Sequence, residues 1–320
     1  MARGAPVEIL DLRHFSSFDL RPLLEDESSV WSRLLEWDYR GSAEMILRYI
    51  DAKILPGYAA IERGTVFGYC FFVYEGSKGV IGDLYVDRDR DPQRIRAVEL
   101  ELLDHVIETL QQSPGIHRVE AQLLVHNTGE ASRPFVQQGF HRYERLFMTM
   151  PLVCSMHTFR AMSDEFEVRP WEDQYYQSAA TLITAAYRGH VDSDINDQYR
   201  TTAGSLRFLN NIIRFPGCGV FDPAASFMAF HRSTRMPAGV ILCSRVKDDV
   251  GHVTQVCMVP EHRGKGIGEA LVGATHGALR ARNFHQLSLT VTKANARAVS
   301  LYERLGFTTT HVFDAFVWEG

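Results

Sequence analysis

Little in the sequence ties it to a disulfide framework, a nucleic acid or a membrane. Its five cysteines, Cys70, Cys154, Cys218, Cys243 and Cys257, are odd in number and nowhere spaced as C-x-x-C. Neither a disulfide scaffold nor a zinc site is indicated, and the expectation is reduced, partly buried thiols and no metal. Positive charge is not in excess: 34 Lys plus Arg stand against 39 Asp plus Glu, a net charge of -5, the reverse of the basic balance that nucleic-acid binding asks for. Long apolar runs are missing too. Gly68 to Tyr74 and Gly239 to Cys243 fall far short of the roughly 20 residues that cross a bilayer, and the start leads straight into the alternating stretch Val7 to Asp11 with no continuous apolar core of a signal peptide. The expectation is a cytoplasmic protein with no membrane segment and no nucleic-acid partner.

What is present is an ordinary globular composition, 45% hydrophobic and 23% charged over 320 residues, a length that suggests about two domains. A short strand is expected near Val7 to Asp11 and helical periodicity from Val30 to Tyr49. Three β-rich runs, Tyr58 to Glu62, Thr65 to Tyr74 and Val80 to Val86, are separated by Gly-containing turns as in a meander of hairpins. A helix over Gln93 to Gln111, a strand over His117 to Val125, a short helix near Ser132 to Gln138, Gly139-Phe140 and a strand over Tyr143 to Leu152 complete the first half. The second half repeats this order. It runs through strands at Phe166 to Pro170, Ser226 to Arg232, Pro237 to Val246 and His252 to Val259, a long helix from Gly266 to Arg282, a strand over Gln286 to Thr292, and a helix over Ala296 to Leu305 before Gly306-Phe307. The repeat reads as a tandem duplication of one α/β unit, with domains at 1–157 and 163–320 and a polar joint at Ser163-Asp164-Glu165. Apolar faces for self-association cannot be told from faces joining the halves, so an oligomer is compatible with the sequence without being indicated by it.

The sharpest local signal is Val256-Cys257-Met258-Val259-Pro260-Glu261-His262-Arg263-Gly264-Lys265-Gly266-Ile267-Gly268, where a strand meets a helix through three glycines and two cations. Glycines admit positive φ and close approach of a ligand to the backbone, and a helix start offers unpaired N–H donors with about half a positive charge. The combination suits a phosphate, with Arg263 and Lys265 as counter-charge. A Walker A loop is excluded because no Gly-Lys-Ser/Thr follows at the required spacing, and a dinucleotide fingerprint because Glu269 stands where its third glycine would. A merely tight turn would leave the alternation of glycines and cations unexplained.

This turn resembles that of the GNAT superfamily of acyl-coenzyme A dependent N-acyltransferases, in which Arg/Gln-x-x-Gly-x-Gly/Ala binds the coenzyme A diphosphate. Arg263, Gly266 and Gly268 hold those places, and the family's second signature is matched by Asn295 followed by a short helix with Tyr302 and Gly306-Phe307. The resemblance covers the second half. It implies an α/β fold, a mixed, mostly antiparallel sheet flanked by helices, in two tandem GNAT-like domains. It implies acetyl-CoA as co-substrate and a small-molecule or peptide amine as acceptor. Cys257, Met258 and Val259, on a strand that splays from its neighbour, would offer main-chain groups to the pantetheine arm; Arg263, Gly264, Lys265, Gly266, Ile267 and Gly268 would hold the diphosphate. Asn295 would bond the donor, cap its helix, or both. Tyr302 would protonate the departing thiolate as a neutral phenol.

The general base stays open. His190, Asp192, Asp194, Asn196 and Asp197 form an acidic segment where the family builds the acceptor side, while His252 and Thr254 are rivals on the strand. Cys257 reads as a small apolar strand residue rather than a nucleophile, so direct transfer is expected. In the first half, Val86 is followed by Asp87-Arg88-Asp89-Arg90-Asp91-Pro92, with no glycine turn and three carboxylates where a diphosphate would lie. Residues 1–157 are therefore expected to be a degenerate copy that does not bind coenzyme A. An acyl-CoA sensor without turnover is the alternative reading.

Overall fold

The computed structural model describes residues 6–152, 159–214 and 219–320. Cys154 and Cys218 lie outside the described residues. In chain order the elements are β1 (Glu8–Asp11), α1 (Ser17–Leu35), α2 (Arg40–Asp51), β2 (Gly57–Glu62), β3 (Thr65–Glu75), β4 (Lys78–Val86), α3 (Pro92–Gln112), β5 (Arg118–Gln122), α4 (Ser132–Gln137) and β6 (His141–Pro151). There follow β7 (Phe166–Pro170), α5 (Tyr176–Ala186), α6 (Val191–Ile195), α7 (Thr202–Arg214), β8 (Val220–Phe221), β9 (Phe227–His231) and β10 (Pro237–Lys247). The chain closes with β11 (Val250–Met258), α8 (Ile267–Arg280), β12 (Gln286–Thr292), α9 (Ala296–Arg304) and β13 (Thr308–Glu319). The architecture is a mixed, mostly antiparallel sheet flanked by helices.

Two compact units result, Met1–Glu144 with Val312–Gly320, and Arg145–His311. In the first, β1, β2, β3 and β4 form the expected antiparallel meander, and β5 joins β4 in parallel over Lys78 to Ile81 against Arg118 to Ala121. The chain's final residues, Ala315 to Glu319, then pair antiparallel with β5. In the second unit β7, β9, β10 and β11 are antiparallel neighbours, β12 lies parallel to β11, and Arg145 to Pro151 pair antiparallel with β12. Each unit thus has the same strand order, and each takes its last strand from the other half of the sequence. A division at a single joint does not describe this, because strand pairing ignores distance along the chain. The parallel step in each unit is bridged by a long helix, α3 or α8, as a parallel pair requires.

The helical stretch expected over Val30 to Tyr49 is two helices. Glu36 closes α1 in the left-handed region at φ 53, so the periodicity breaks there. Helix α1 also starts earlier than periodicity alone suggests. The Asp19 carboxylate accepts from the Ser16 amide N–H at 2.9 Å, and buried Leu20, Leu23, Leu24 and Trp31 form one face despite Pro22 within the helix. In the second unit, Ala179, Ala180, Leu182, Ile183 and Leu209 of α5 and α7 pack with Val240, Leu242 and Cys257 of the sheet. Helix α8 approaches closely: a Cβ on Gly239 would meet Ile267 Cγ2 at 2.9 Å and Leu271 Cδ1 at 3.0 Å. That contact anchors the α8 N-terminus against the sheet beside the end of β11. No helix among the described residues is long and apolar enough to cross a membrane.

Candidate active site

A single irregularity in β11 opens the site. Leu242 pairs with Gln255 and Cys243 with Val253, so the register skips Thr254 and the strand bulges there, with Thr254 Oγ1 donating to Leu242 O at 3.2 Å. Bulges sharpen the local twist and re-aim side chains. The parallel pairing of β11 with β12 ends at the same point, at Val253 and Leu289. From Thr254 to Met258 the edge of β11 that faced β12 is unpaired, while the opposite edge stays bonded to β10, as in the Val259 N–H to Ala238 O bond of 3.0 Å. The strand splays as expected, and a cleft of about 770 Å³ forms between the separated strands.

Beyond Val259 the chain makes one turn of 3-10 helix and passes Arg263 into two left-handed glycines, Gly264 at φ 81 and Gly266 at φ 83. Gly266 begins α8, whose first internal backbone bond is Ala270 N–H to Gly266 O at 2.9 Å. The N–H groups of Ile267, Gly268 and Glu269 precede that bond and carry the positive end of the helix dipole. The cleft is lined by Cys257, Met258, Arg263, Gly264, Gly266, Ile267 and Gly268 of this turn and by Asn295 and Tyr302 across from it. These positions, an open strand edge leading to left-handed glycines at a helix start, fit the extended amide arm and diphosphate of coenzyme A.

Two residues of the turn are placed differently from their neighbours. Lys265 does not line the cleft; its Nζ lies 2.8 Å from Glu165 and over the Phe166 ring. Val259 is also outside the lining, held in the β10 ladder. A Cβ on Gly266 would come within 3.1 Å of Ala161 O, so part of the glycine requirement has a source in the fold itself. Arg263 does reach the cleft, and its guanidinium donates to Ala186 O at 3.2 Å.

Across the cleft Tyr302 is buried, its ring edge-on to Phe307 at 5.8 Å. Burial, with the Asp192 charge nearby, pushes its phenol well above the ordinary range, so it stays a neutral donor. Burial likewise pushes the Cys257 thiol up, leaving no thiolate to act as a nucleophile. Asn295 caps α9, its Oδ1 accepting from Ala298 N–H at 3.3 Å, and its Nδ2 lies 3.2 Å from His190 Nε2.

The acidic segment contains α6, and it divides by exposure. His190 and Asp192 line the cleft. Asp192 N–H donates to His190 Nδ1 at 3.1 Å, Thr292 Oγ1 donates to the Asp192 carboxylate, and Arg145 lies 3.6 Å from it. Asp194 points away, 59% exposed and 3.9 Å from Arg200, and Asn196 caps the next turn. His252 does not line the cleft either. It is buried, stacked on Phe147 at 5.8 Å and bonded to Ser288 Oγ at 2.9 Å, and burial pushes its pKa down to about 3.

Sequence reasoning missed Tyr187, Gln255 and Arg145. Tyr187 stacks on Tyr199 at 4.4 Å and donates to Gln255 Oε1 at 2.7 Å, while Gln255 Nε2 is buried without a hydrogen-bond partner among the described residues. Arg145 arrives from the other half of the sequence because β6 pairs Arg145 with Thr292. No local motif marks any of the three. In the first unit, the turn after β4 is closed on itself. Asp91 accepts from Gln93 and Arg94 N–H at 3.0 and 3.2 Å, and Arg90 and Arg94 pair with Glu62, so the donors at the start of α3 are already taken.

Comparison with known proteins agrees with this fold. Residues 192–307 match the model of the family described as "Acetyltransferase (GNAT) family". The mycothiol acetyltransferase of Thermobispora bispora is 41% identical over 92 residues, 28% of this chain and 31% of that protein. That of Renibacterium salmoninarum is 26% identical over 210 residues, 63% of this chain and 58% of that protein. These matches span less than two thirds of either relative. Among solved structures, a GCN5-related N-acetyltransferase from Sphaerobacter thermophilus aligns with TM-score 0.66 at 15% identity over 98% of this chain and 96% of its own. A tandem GNAT protein from the clavulanic acid biosynthesis pathway aligns with TM-score 0.60 at 13% identity over 98% of both chains. Both show the same fold.

Proposed function

We propose, on the premise that this chain belongs to the GNAT acetyltransferase family through residues 192–307, that it moves an acetyl group from acetyl-CoA to a primary amine by direct attack. The observation that carries this reading is the coincidence, in one cleft, of the unpaired β11 edge, the glycine turn and Tyr302. Bound acetyl-CoA supplies an activated thioester carbonyl. Main-chain groups from Thr254 to Met258 hold and polarise it, and the N–H groups at the start of α8 hold the diphosphate. Tyr302 delivers a proton to the departing sulfur. His190 and Asp192, linked to each other and facing the same cleft, draw in the amine and take its proton. The thiol of Cys257 stays protonated, which supports transfer without an acyl-enzyme. The self-closed turn after β4 supports a first unit that does not bind coenzyme A.

The test is a thiol-release assay with acetyl-CoA and a panel of amines, led by the acceptor of the relatives named mycothiol acetyltransferase, alongside calorimetric binding of acetyl-CoA. Saturable binding with amine-dependent thiol release is expected. Binding without release for any amine would leave a sensor, and no binding at all would remove the proposal.

A further inference from the structure

We propose that Arg160 is a phosphate-binding residue of the coenzyme site, brought there by a strap of residues 159–166 laid over the start of α8; this rests on the acetyl-CoA reading above. The strap is pinned at several points. Arg160 N–H donates to Glu269 Oε1 at 2.6 Å, Ser163 N–H donates to Lys265 O at 3.1 Å, and Glu165 holds Lys265 Nζ at 2.8 Å. The Phe159 ring lies 5.2 Å from that of His276 and against Gly273, where a Cβ would meet it at 2.9 Å.

This arrangement changes which cation serves the ligand. Lys265, the ammonium that the motif sets between glycines, is engaged by Glu165 and stands outside the cleft, whereas Arg160 lines it and forms no ion pair among the described residues. Glu269 would set a negative charge in the first turn of α8, where an anion is to bind, and the Arg160 amide takes up one of its oxygens. Arg160 lines the same cleft as the start of α8, and a guanidinium is suited to a phosphate, which it can grip with two parallel hydrogen bonds. The strap thus places a phosphate ligand that lies outside the glycine motif.

The experiment measures binding of acetyl-CoA and of acetyl-3′-dephospho-CoA to the full chain by calorimetry, for the wild type, Arg160→Ala and Arg160→Lys, at two ionic strengths. Loss of one charge-assisted contact predicts roughly ten- to a hundredfold weaker acetyl-CoA binding for Arg160→Ala. The same variant should show a shallower salt dependence and an unchanged melting temperature without ligand, with partial recovery in Arg160→Lys. A loss that disappears with the dephospho analogue assigns the contact to the 3′-phosphate; an equal loss with both ligands assigns it to the diphosphate. Wild-type affinity in Arg160→Ala overturns the proposal. If the wild type binds neither ligand, the acetyl-CoA reading itself fails and this assignment falls with it.

Discussion

Replacing Tyr302 with Phe removes one oxygen, and the surroundings set what should follow. The ring stays wedged against Phe307 at 5.8 Å, and the hydroxyl has no protein hydrogen-bond partner among the described residues, so no buried group is orphaned by its loss. The folding cost should be under about 1 kcal/mol, a shift of a few degrees at most in the melting temperature. Catalysis should fare differently. Burial and the nearby Asp192 hold the phenol protonated across the neutral range, so the wild type keeps its proton donor up to strongly alkaline pH. Withdrawing a general acid costs roughly 10²- to 10⁴-fold in rate, or about 3 to 5 kcal/mol of transition-state stabilisation. Thiol release with a saturating amine should therefore show kcat reduced by at least 10²-fold on the principle just stated, with the calorimetric Kd for acetyl-CoA unchanged. A kcat within about threefold of wild type, or a Kd that weakens in step with kcat, would refute the assignment of Tyr302 as proton donor.

Gly266→Ala should weaken acetyl-CoA binding about tenfold and cost about 1–2 kcal/mol of stability, because the residue sits at φ 83 with Ala161 O 3.1 Å from the new Cβ; unchanged calorimetric affinity would show that the turn is not the diphosphate site. Cys257→Ala should keep kcat within a few-fold of wild type, since burial holds its thiol protonated; loss of all turnover with the fold intact by circular dichroism would point to a covalent intermediate. His252 gives a pH dependence of stability. Its folded pKa, pushed down to about 3, lies below the ordinary 6.5, so between these values the unfolded chain binds a proton that the folded one does not. Stability is full above about pH 6.5 and falls as pH drops toward 3, by at most about 5 kcal/mol. His252→Gln should flatten that slope in thermal melts taken between pH 7 and 4, and an identical slope in the variant would show that other groups cause it.

Much of the second unit was legible because its signals are local. The strand Gln286 to Thr292 and the helices around it follow from period and from Gly-Phe breaks, and the turn from Arg263 to Gly268 announces itself by glycines, two of which, Gly264 and Gly266, the backbone uses at positive φ. Tyr302 and Asn295 were found through a motif and do face the cleft. Less legible was which members of the acidic segment matter. Asp192 and Asp194 are on one short helix and equal as residues, yet one is bonded to Thr292 beside His190 and the other is turned outward toward Arg200. Lys265 and Arg160 show the same limit in reverse: one of the motif's two cations is paired outside the cleft, while Arg160, which lines it, comes from outside the motif.

Local chemistry along the chain was enough to establish a repeated α/β unit, the asymmetry between a glycine turn in one copy and a carboxylate-rich turn in the other, and the family that the second copy resembles. Those properties depend on residue type and spacing over a dozen positions, which a linear string records in full. The exchange of last strands between the two halves of the sequence, the arrival of Arg145 beside Asp192 and the burial of His252 were decided by tertiary structure alone. Each depends on which strands pair and which side of a bulged strand a residue takes, and pairing is set by packing among residues far apart in the chain.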